Sequence, residues 1–404
     1  MKKVFRNTSI LLFLLISIST VSLGQIVTGN VLDNSNSNPI SDATVYINGT
    51  IIGTSTNTNG VFTLKNVNFP CKLVVSRVGY ELKIINLDSY NPERITILLK
   101  EKTVHLSEVS IIGKSTRDKN VEIFRKYFLG SDEWSKKIIL KNESVLNFKH
   151  YTDTVKILNE DFNILNEEMK YVNSGYDDSV IRSRTRKIFS VKATTPVVLD
   201  LPTLGYKLSI DLVGFYLVET PKNTICRYLG YYYYQPYNHV SKTAERKFQQ
   251  NRAEAFNNSR EHFCKSLFNN KLMQNGYLLI DKNTEDENLQ FVNISNHIVK
   301  KDNKEILITG LMGKTLYIYS FFNYANKPID LTNKKKFNFS SADEFWQNNY
   351  NFLNQKSSIS FISDTCCIRS DGSILDDNIM FGGKMILKKI DAMIPEIYLQ
   401  ASGK

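Results

Sequence analysis

Hydrophobic and polar residues alternate in short runs over the first hundred positions of the chain. Six such runs, bounded by Gly, Pro, Asn or Asp, lie at residues 27–32, 44–47, 61–64, 73–76, 82–85 and 95–99. Successive side chains of a strand point to opposite faces, so each run predicts a strand with one buried face. Short strands joined by turn residues are typical of an all-β sandwich, which we predict for residues 25–103.

The pattern changes near residue 120, where apolar residues recur at helical spacing. Val121, Phe124 and Phe128 predict a short amphipathic helix that ends at Gly130. This mixture predicts an α+β region over residues 120–404, after a linker at residues 104–119 that contains one extended segment. Further extended segments are predicted at residues 145–151, 205–217, 227–234 and 315–321.

A long helix is predicted in the middle of the second region, from Ser241 to Gln274, with Gly276 as its C-cap. Asn258 and Glu261 have the spacing of a capping box, so the alternative is a helix that breaks and restarts there. A last strand or helix is predicted at residues 384–390.

The first 24 residues have the layout of a cleaved secretory signal. Three basic residues precede an apolar run at residues 10–21, and small residues stand before the expected cleavage after Gly24. The run is shorter than the roughly 20 apolar residues that a spanning helix needs. We therefore expect an exported protein of the periplasm or the outer membrane, with no transmembrane segment after cleavage.

Motifs of the predicted sandwich add a resemblance to a known family. The segments 25–33, 39–47, 56–64 and 76–80 resemble the carboxypeptidase-like regulatory domain, a prealbumin/Ig-like module that also occurs in TonB-dependent transporters. The resemblance implies a module that binds or assembles and does not catalyse. Residues 120–404 resemble the partner region of exported proteins that carry this module, a region of no established activity.

Composition adds little to this picture. A chain of 404 residues with 42% hydrophobic content supports two or three packed domains. The formal charge is +11, or +8 without the signal, which suits a solvated basic surface or contact with anionic lipids and acidic glycans. The cysteines show no CxxC spacing, so neither a redox motif nor a zinc knuckle is indicated. They are Cys71, Cys226, Cys264, Cys366 and Cys367.

Three polar residues stand out in the predicted long helix. Steps of 100° per residue place Arg252, Ser259 and His262 on the same side as its apolar stripe. One interpretation is an internal polar network, since a buried guanidinium needs a carboxylate or carbonyl groups around it. The second is a pocket for an anionic or sugar ligand. The third is Ser–His catalysis, although residues three apart seldom align for proton transfer.

Other patterns point to no complete site. His105 and Glu108 have the HxxE spacing of zinc carboxypeptidases, with His239 downstream, but no α/β catalytic core surrounds them. We therefore expect no metal, and we expect no cofactor. The tyrosines at 231–234 indicate either a partly buried strand or a platform on which sugar rings stack.

The sequence favours a non-catalytic exported protein that binds or assembles at the outer membrane through its β-sandwich. An envelope protein or a glycan is the expected partner, and nucleic acid is not. No residue is assigned a catalytic role in this interpretation. The alternative is a hydrolase of an envelope or polysaccharide substrate, with its site near Arg252, Ser259 and His262. An enzyme would need these side chains to open into a cleft.

Overall fold

The computed structural model of the chain divides into two compact units. Residues 1–48 and 52–105 form the first unit, and residues 49–51 and 106–404 form the second. Within the described ranges no helix combines the length and the apolar character that a membrane crossing requires. The described residues are 25–102, 114–131, 133–152, 187–219, 224–257, 259–281, 292–322, 327–332, 353–361, 363–370, 372, 374, 379–383, 385 and 394–395.

The first unit is a β-sandwich in which apolar side chains from two sheets meet in one core. Its described strands are β1 (Gln25–Asp33), β2 (Thr44–Ile47), β3 (Gly53–Ser55), β4 (Val61–Val67), β5 (Cys71–Ser76), β6 (Lys83–Leu87) and β7 (Ile95–Leu99). The sheet orders are β4-β1-β7 and β3-β2-β5-β6, and β1 runs parallel to β7. The six predicted strands are confirmed. The alternation does not predict β3 because its three residues include no apolar side chain.

The turn before β4 is closed by an asparagine side chain. The Oδ1 atom of Asn57 accepts hydrogen bonds from the backbone N–H groups of Asn59 at 3.0 Å and Val61 at 2.9 Å. Gly60 completes the turn with a φ of +71°, and a Cβ there would lie 2.5 Å from the carbonyl oxygen of Val31. The turn therefore requires glycine for both its conformation and its close approach to β1.

Tyr80 turns back to the sandwich directly after Gly79, as the sequence predicts. Its ring packs against the core, and its hydroxyl donates a hydrogen bond of 3.0 Å to Oδ2 of Asp33. Asp33 also accepts hydrogen bonds from the hydroxyl and the backbone N–H of Ser35. The Ser35 hydroxyl contributes most to the lowered pKa of Asp33, and the hydrogen bond to Asp33 raises the pKa of Tyr80.

An antiparallel sheet and one helix begin the second unit. Its described strands are β8 (Ile139–Leu140), β9 (Leu146–Thr152), β10 (Lys187–Ala193), β11 (Val197–Leu201), β12 (Tyr206–Glu219) and β13 (Thr224–Pro236). Their order is β8-β11-β12-β10-β9, and β13 pairs along β12. The helix is α1 (Lys114–Phe124), which continues as a π-helical turn at Arg125–Leu129 and ends at Gly130 as predicted.

Aromatic packing holds α1 against this sheet. The ring of Phe215 on β12 lies 5.3 Å from that of Phe124 and 6.0 Å from that of Phe128, both in edge-to-face geometry. All three rings are fully buried. Edge-to-face pairs add about 0.5–1.5 kcal/mol each beyond the burial of their area, so these contacts fix the position of the helix.

Two further helices and two small sheets complete the described part of the second unit. The helices are α2 (Lys242–Phe256) and α3 (Arg260–Phe268), and short 3₁₀ turns lie at Ser135–Lys137, Glu143–Val145 and Ile294–His297. The strands are β14 (Tyr277–Asp281), β15 (Ile298–Lys300), β16 (Glu305–Thr309), β17 (Thr315–Phe322), β18 (Leu353–Phe361), β19 (Thr365–Arg369) and β20 (Ile379–Gly383). The sheets have the orders β14-β17-β18-β20 and β15-β16-β19, and α3 shares their core.

The prediction of one long helix from Ser241 to Gln274 is wrong, and the alternative of a break and a restart is confirmed, with Ser259 as the N-cap of the second helix. Asn257 leaves the helical conformation with a ψ of 136°, and Ser259 caps α3 by accepting a hydrogen bond from the N–H of His262. Short polar side chains compete for backbone hydrogen bonds in this way and favour helix starts. Gly276, with a φ of +76°, belongs to the turn before β14 and caps neither helix.

The turn between β11 and β12 forms the contact surface for α2. Gly205 ends this turn with a φ of +73°, and its carbonyl oxygen accepts a hydrogen bond of 3.0 Å from the N–H of Tyr237. A Cβ at Gly205 would lie 2.3 Å from Cδ2 of Phe248 on α2. The ring of Phe248 therefore packs directly on the glycine.

We expect Gly205→Ala to destabilise the second unit more than Gly313→Ala. Gly313 has a similar φ of +75° but open space around the position of a Cβ, so its substitution costs only the backbone strain of about 1–2 kcal/mol. Gly205→Ala adds the displacement of Phe248. Denaturant unfolding of both variants measures the difference, and equal losses of free energy would show that the ring moves aside without cost.

Candidate functional site

Arg252 lies at the interface between α2 and the turn that precedes β12. Its Nε donates a hydrogen bond of 2.9 Å to the carbonyl oxygen of Leu204, and its Nη1 lies 3.1 Å from Oε1 of Glu245. The guanidinium carbon is 4.2 Å from the centre of the Tyr206 ring, in cation–π contact. Only 9% of the Arg252 side chain is exposed, so a carboxylate, a carbonyl and an aromatic face together replace its lost hydration.

A neighbouring residue of α2 contacts the same turn. The Nδ2 atom of Asn251 donates a hydrogen bond of 2.6 Å to the carbonyl oxygen of Thr203. Together with the bond from Arg252 to Leu204, two successive side chains of the helix bind two successive carbonyl groups of the turn. The polar groups of α2 therefore hold the helix to the sheet.

Ser259 and His262 belong to the next helix. The hydroxyl oxygen of Ser259 accepts a hydrogen bond of 3.0 Å from the backbone N–H of His262. The Nδ1 atom of His262 lies 2.8 Å from the hydroxyl of Tyr277 on β14, and its ring is 4.9 Å from that of Phe256. Both side chains are buried, and each takes part in contacts that position α3.

The three predicted site residues therefore do not share the face of one helix. Arg252 contacts the turn before β12 from α2. Ser259 caps α3, and His262 contacts Tyr277 on β14. These contacts are those of an internal polar network, the first interpretation of the sequence. A ligand at these residues stays a prediction.

Next to Ser259, an adjacent pair of opposite charges begins α3. The Nη2 atom of Arg260 lies 2.9 Å from Oε1 of Glu261, and the two side chains are 42% and 33% exposed. The charge of Glu261 raises the pKa of Arg260. Burial raises the pKa of Glu261, but the Arg260 charge and hydrogen bonds to Glu261 outweigh burial and leave that pKa below its usual value. The pair stays ionised and lies at the helix N-terminus, where Glu261 is favoured.

Several predicted features lie outside the described residues. They include the signal at 1–24, the extended segment of the linker, and His105 with Glu108. His239 is described, and it is exposed. In the part of the chain that the structure describes, no group of three or more His, Cys, Asp or Glu side chains is placed to hold a metal ion.

The tyrosines at 231–234 form no open platform. Tyr231 and Tyr234 are buried, and the two rings between them are half-buried. Burial is also the main cause that raises the pKa of Tyr232 well above its ordinary value. The partly buried strand is therefore the correct interpretation. The structure describes all five cysteines, of which Cys264, Cys366 and Cys367 are buried.

A groove that the sequence did not reveal lies in the second unit, between α1 and one end of the sheet formed by β8 to β13. This sheet is the first sheet of the second unit and is called the first sheet below. Its volume is about 310 Å³. The ends of β9, β10 and β12 meet there in register, because Phe189 pairs with both His150 and Leu217, and Lys187 pairs with Glu219. The lining residues are Ile123, His150, Lys187, Ile188, Phe189, Leu217 and Glu219.

His150 is held in this groove by a buried amide. Its Nε2 lies 2.9 Å from Oδ1 of Asn120 on α1, and its ring is 5.0 Å from that of Phe189. Asn120 is only 2% exposed. Among the residues that the structure describes, its Nδ2 atom is one of two buried side-chain nitrogen or oxygen atoms without a hydrogen-bond partner. An unpaired buried donor costs about 1–3 kcal/mol, so Asn120 is not explained by stability alone.

The sequence does contain a signal for His150. Leu146 and Phe148 of β9 are buried, and His150 is the next residue on the same face of the strand. A titratable side chain that continues an apolar face is a candidate for function. The sequence contains no comparable signal for Asn120, because the burial of this side chain depends on how α1 packs against the sheet.

The comparisons with known proteins identify only the N-terminal domain. A family model for the CarboxypepD_reg-like domain matches residues 27–111. This part of the chain is therefore a carboxypeptidase-like regulatory domain, as its motifs predict. No curated protein matches the chain.

Two solved structures are similar to a part of the chain. They are a C-terminal and an N-terminal interface mutant of a type II cohesin–X-dockerin complex from Acetivibrio cellulolyticus. Each is 21% identical, covers 26% of this chain and 75% of its own, and has a TM-score of 0.18. A score this low supports no argument about fold or function.

We expect Arg252→Lys to lower the free energy of unfolding by about 2 kcal/mol, because the ammonium group of lysine lacks the planar fork with which the guanidinium faces the carbonyl, the carboxylate and the ring. Arg246→Lys is the matched control, since Arg246 is an exposed arginine of the same helix. Its effect should stay within about 0.5 kcal/mol. Urea unfolding checks both values, and equal effects would exclude the docking role of Arg252.

Proposed function

We propose that this protein is exported and has a non-catalytic role in binding or assembly at the outer membrane. The observation that carries the proposal is the CarboxypepD_reg-like domain at residues 27–111. The expected signal at residues 1–24 supports export to the periplasm or the outer membrane. The partner we propose is an envelope protein or a glycan.

The outer face of the β4-β1-β7 sheet is the surface we propose for binding. Its apolar side chains include Leu98 on β7, which is 45% exposed, and Ile26 on β1, which is 49% exposed. Leu98 pairs in register with Leu32 of β1, so the two side chains lie on the same face. Leu98 and Leu32 form an apolar pair at one end of this face, and Ile26 lies six residues from Leu32 at the other end of β1. The proposed contact with a partner therefore centres on Leu98.

The contacts of Ser259 and His262 speak against the alternative of a hydrolase. A serine nucleophile needs its hydroxyl to donate a proton to the histidine base. The oxygen of Ser259 accepts a hydrogen bond from the backbone N–H of His262, and its hydroxyl is hydrogen-bonded to Glu261. The imidazole of His262 is bound to Tyr277 and surrounded by the rings of Phe256 and Phe322. Both side chains are buried, which suits structural roles.

We expect Leu98→Glu to abolish capture of the partner by the full chain, because a charge on the proposed surface opposes burial against an apolar partner. Met312→Glu is the control, since Met312 is 66% exposed in the second unit. The measurement is capture of a discrete protein or glycan from envelope extract, beside a chain that lacks residues 25–113. Undiminished capture by Leu98→Glu would exclude this surface, and undiminished capture without residues 25–113 would exclude the domain.

We expect His262→Ala to lower the free energy of unfolding by about 1–3 kcal/mol, through the lost packing and the lost hydrogen bond. Tyr277→Phe removes only the hydroxyl and should cost about 1 kcal/mol. Both variants are measured by denaturant unfolding and in a screen for polysaccharide and ester hydrolysis. The hydrolase interpretation would replace ours if the wild-type chain shows turnover that His262→Ala abolishes without changing stability.

A further inference from the structure

The groove between α1 and the first sheet has the size of a small-molecule site. Its volume of about 310 Å³ lies at the lower end of the range of ligand pockets, roughly 300–1,000 Å³. The floor is apolar, since it is formed by Phe189 and Leu217 of neighbouring strands and by Ile123 of α1. A ligand that fills this space is compact and presents an apolar body to the sheet.

Two opposite charges lie at the mouth of the groove. Lys187 of β10 and Glu219 of β12 are directly opposite each other in the antiparallel register, and both are exposed. Opposite charges in this arrangement commonly pair across strands. Among the described residues neither side chain has an ion-pair partner, so both charges are available to a ligand. Because the two charges cancel, they favour a ligand that carries one charge of each sign.

His150 forms one side of the same groove. Its Nε2 is hydrogen-bonded to Oδ1 of Asn120 on α1, and this bond holds the imidazole ring beside the ring of Phe189. The buried carboxamide of Asn120 therefore positions one wall of the groove.

We infer that this groove binds a small zwitterion with an apolar body, of the class of free amino acids with apolar side chains. Lys187 binds the carboxylate, Glu219 binds the ammonium group, and the side chain packs on Phe189 and Leu217. Bonds between charged groups at a partly enclosed site supply both affinity and orientation. The site belongs to the second unit and is separate from the proposed role of the N-terminal domain.

Three probes that share a phenyl body test this inference by calorimetry with the full chain. L-Phenylalanine carries both charges, 3-phenylpropionate only the carboxylate, and 2-phenylethylamine only the ammonium group. We expect L-phenylalanine to bind at least about tenfold more tightly than either single-charge probe, the effect of one charge-assisted hydrogen bond. Equal affinities for the three probes, or no binding of L-phenylalanine and L-leucine at about 1 mM, would overturn the inference.

Variants of the two charged residues identify the site. We expect Lys187→Met and Glu219→Gln each to weaken L-phenylalanine binding about tenfold and to leave circular dichroism and thermal unfolding unchanged. Lys192→Met on the same strand and Glu93→Gln in the first unit are the controls, since both residues are exposed and lie outside the groove. Binding that the two site variants leave unchanged, or that the controls weaken equally, would place the ligand elsewhere.

Discussion

The packing of aromatic rings around Phe215 determines the arrangement of the first half of the second unit. This ring contacts Phe124 and Phe128 from the helix side and Phe189 and Tyr228 from neighbouring strands. The contacts fix the distance between α1 and the sheet. At this distance Asn120 is buried against His150, and the groove stays open beside the two residues. A feature with binding chemistry therefore depends on apolar packing about a single buried side chain.

Desolvation explains the contacts that the conspicuous polar residues of α2 and α3 make. A guanidinium or an imidazole inside a protein loses its hydration, and the surrounding groups must replace it. Arg252 finds a carboxylate, a carbonyl and a ring, and His262 finds a phenol. The charges at the end of the first sheet differ, because solvent still hydrates them and no protein group among the described residues pairs with them.

The strands of the sandwich could be predicted because their alternation is local. The same is true of β12, β13 and β17, whose apolar runs are long. The sequence supports two arrangements for residues 241–274. A periodicity of 3.6 continues across Asn257 and favours one helix, whereas the capping-box spacing of Asn258 and Glu261 indicates a restart. Ser259 carries the decisive information, but a capping serine is distinguished from a helical one only by its backbone conformation. The groove at His150 joins four segments of the chain that lie 27 or more positions apart, so the sequence contains only its histidine.

The parallel pairing of β1 with β7 has a consequence for the order of folding. Asn30 lies beside Thr96 in this pair, 66 residues away along the chain. β1 is the central strand of its sheet, and one of its two edges stays unpaired until β7 has formed. The sandwich can therefore close only after its last strand is available, however early the hairpins of the other sheet form. A chain synthesised from its N-terminus exposes the edge of β1 throughout that interval, and an unpaired strand edge can pair with another chain.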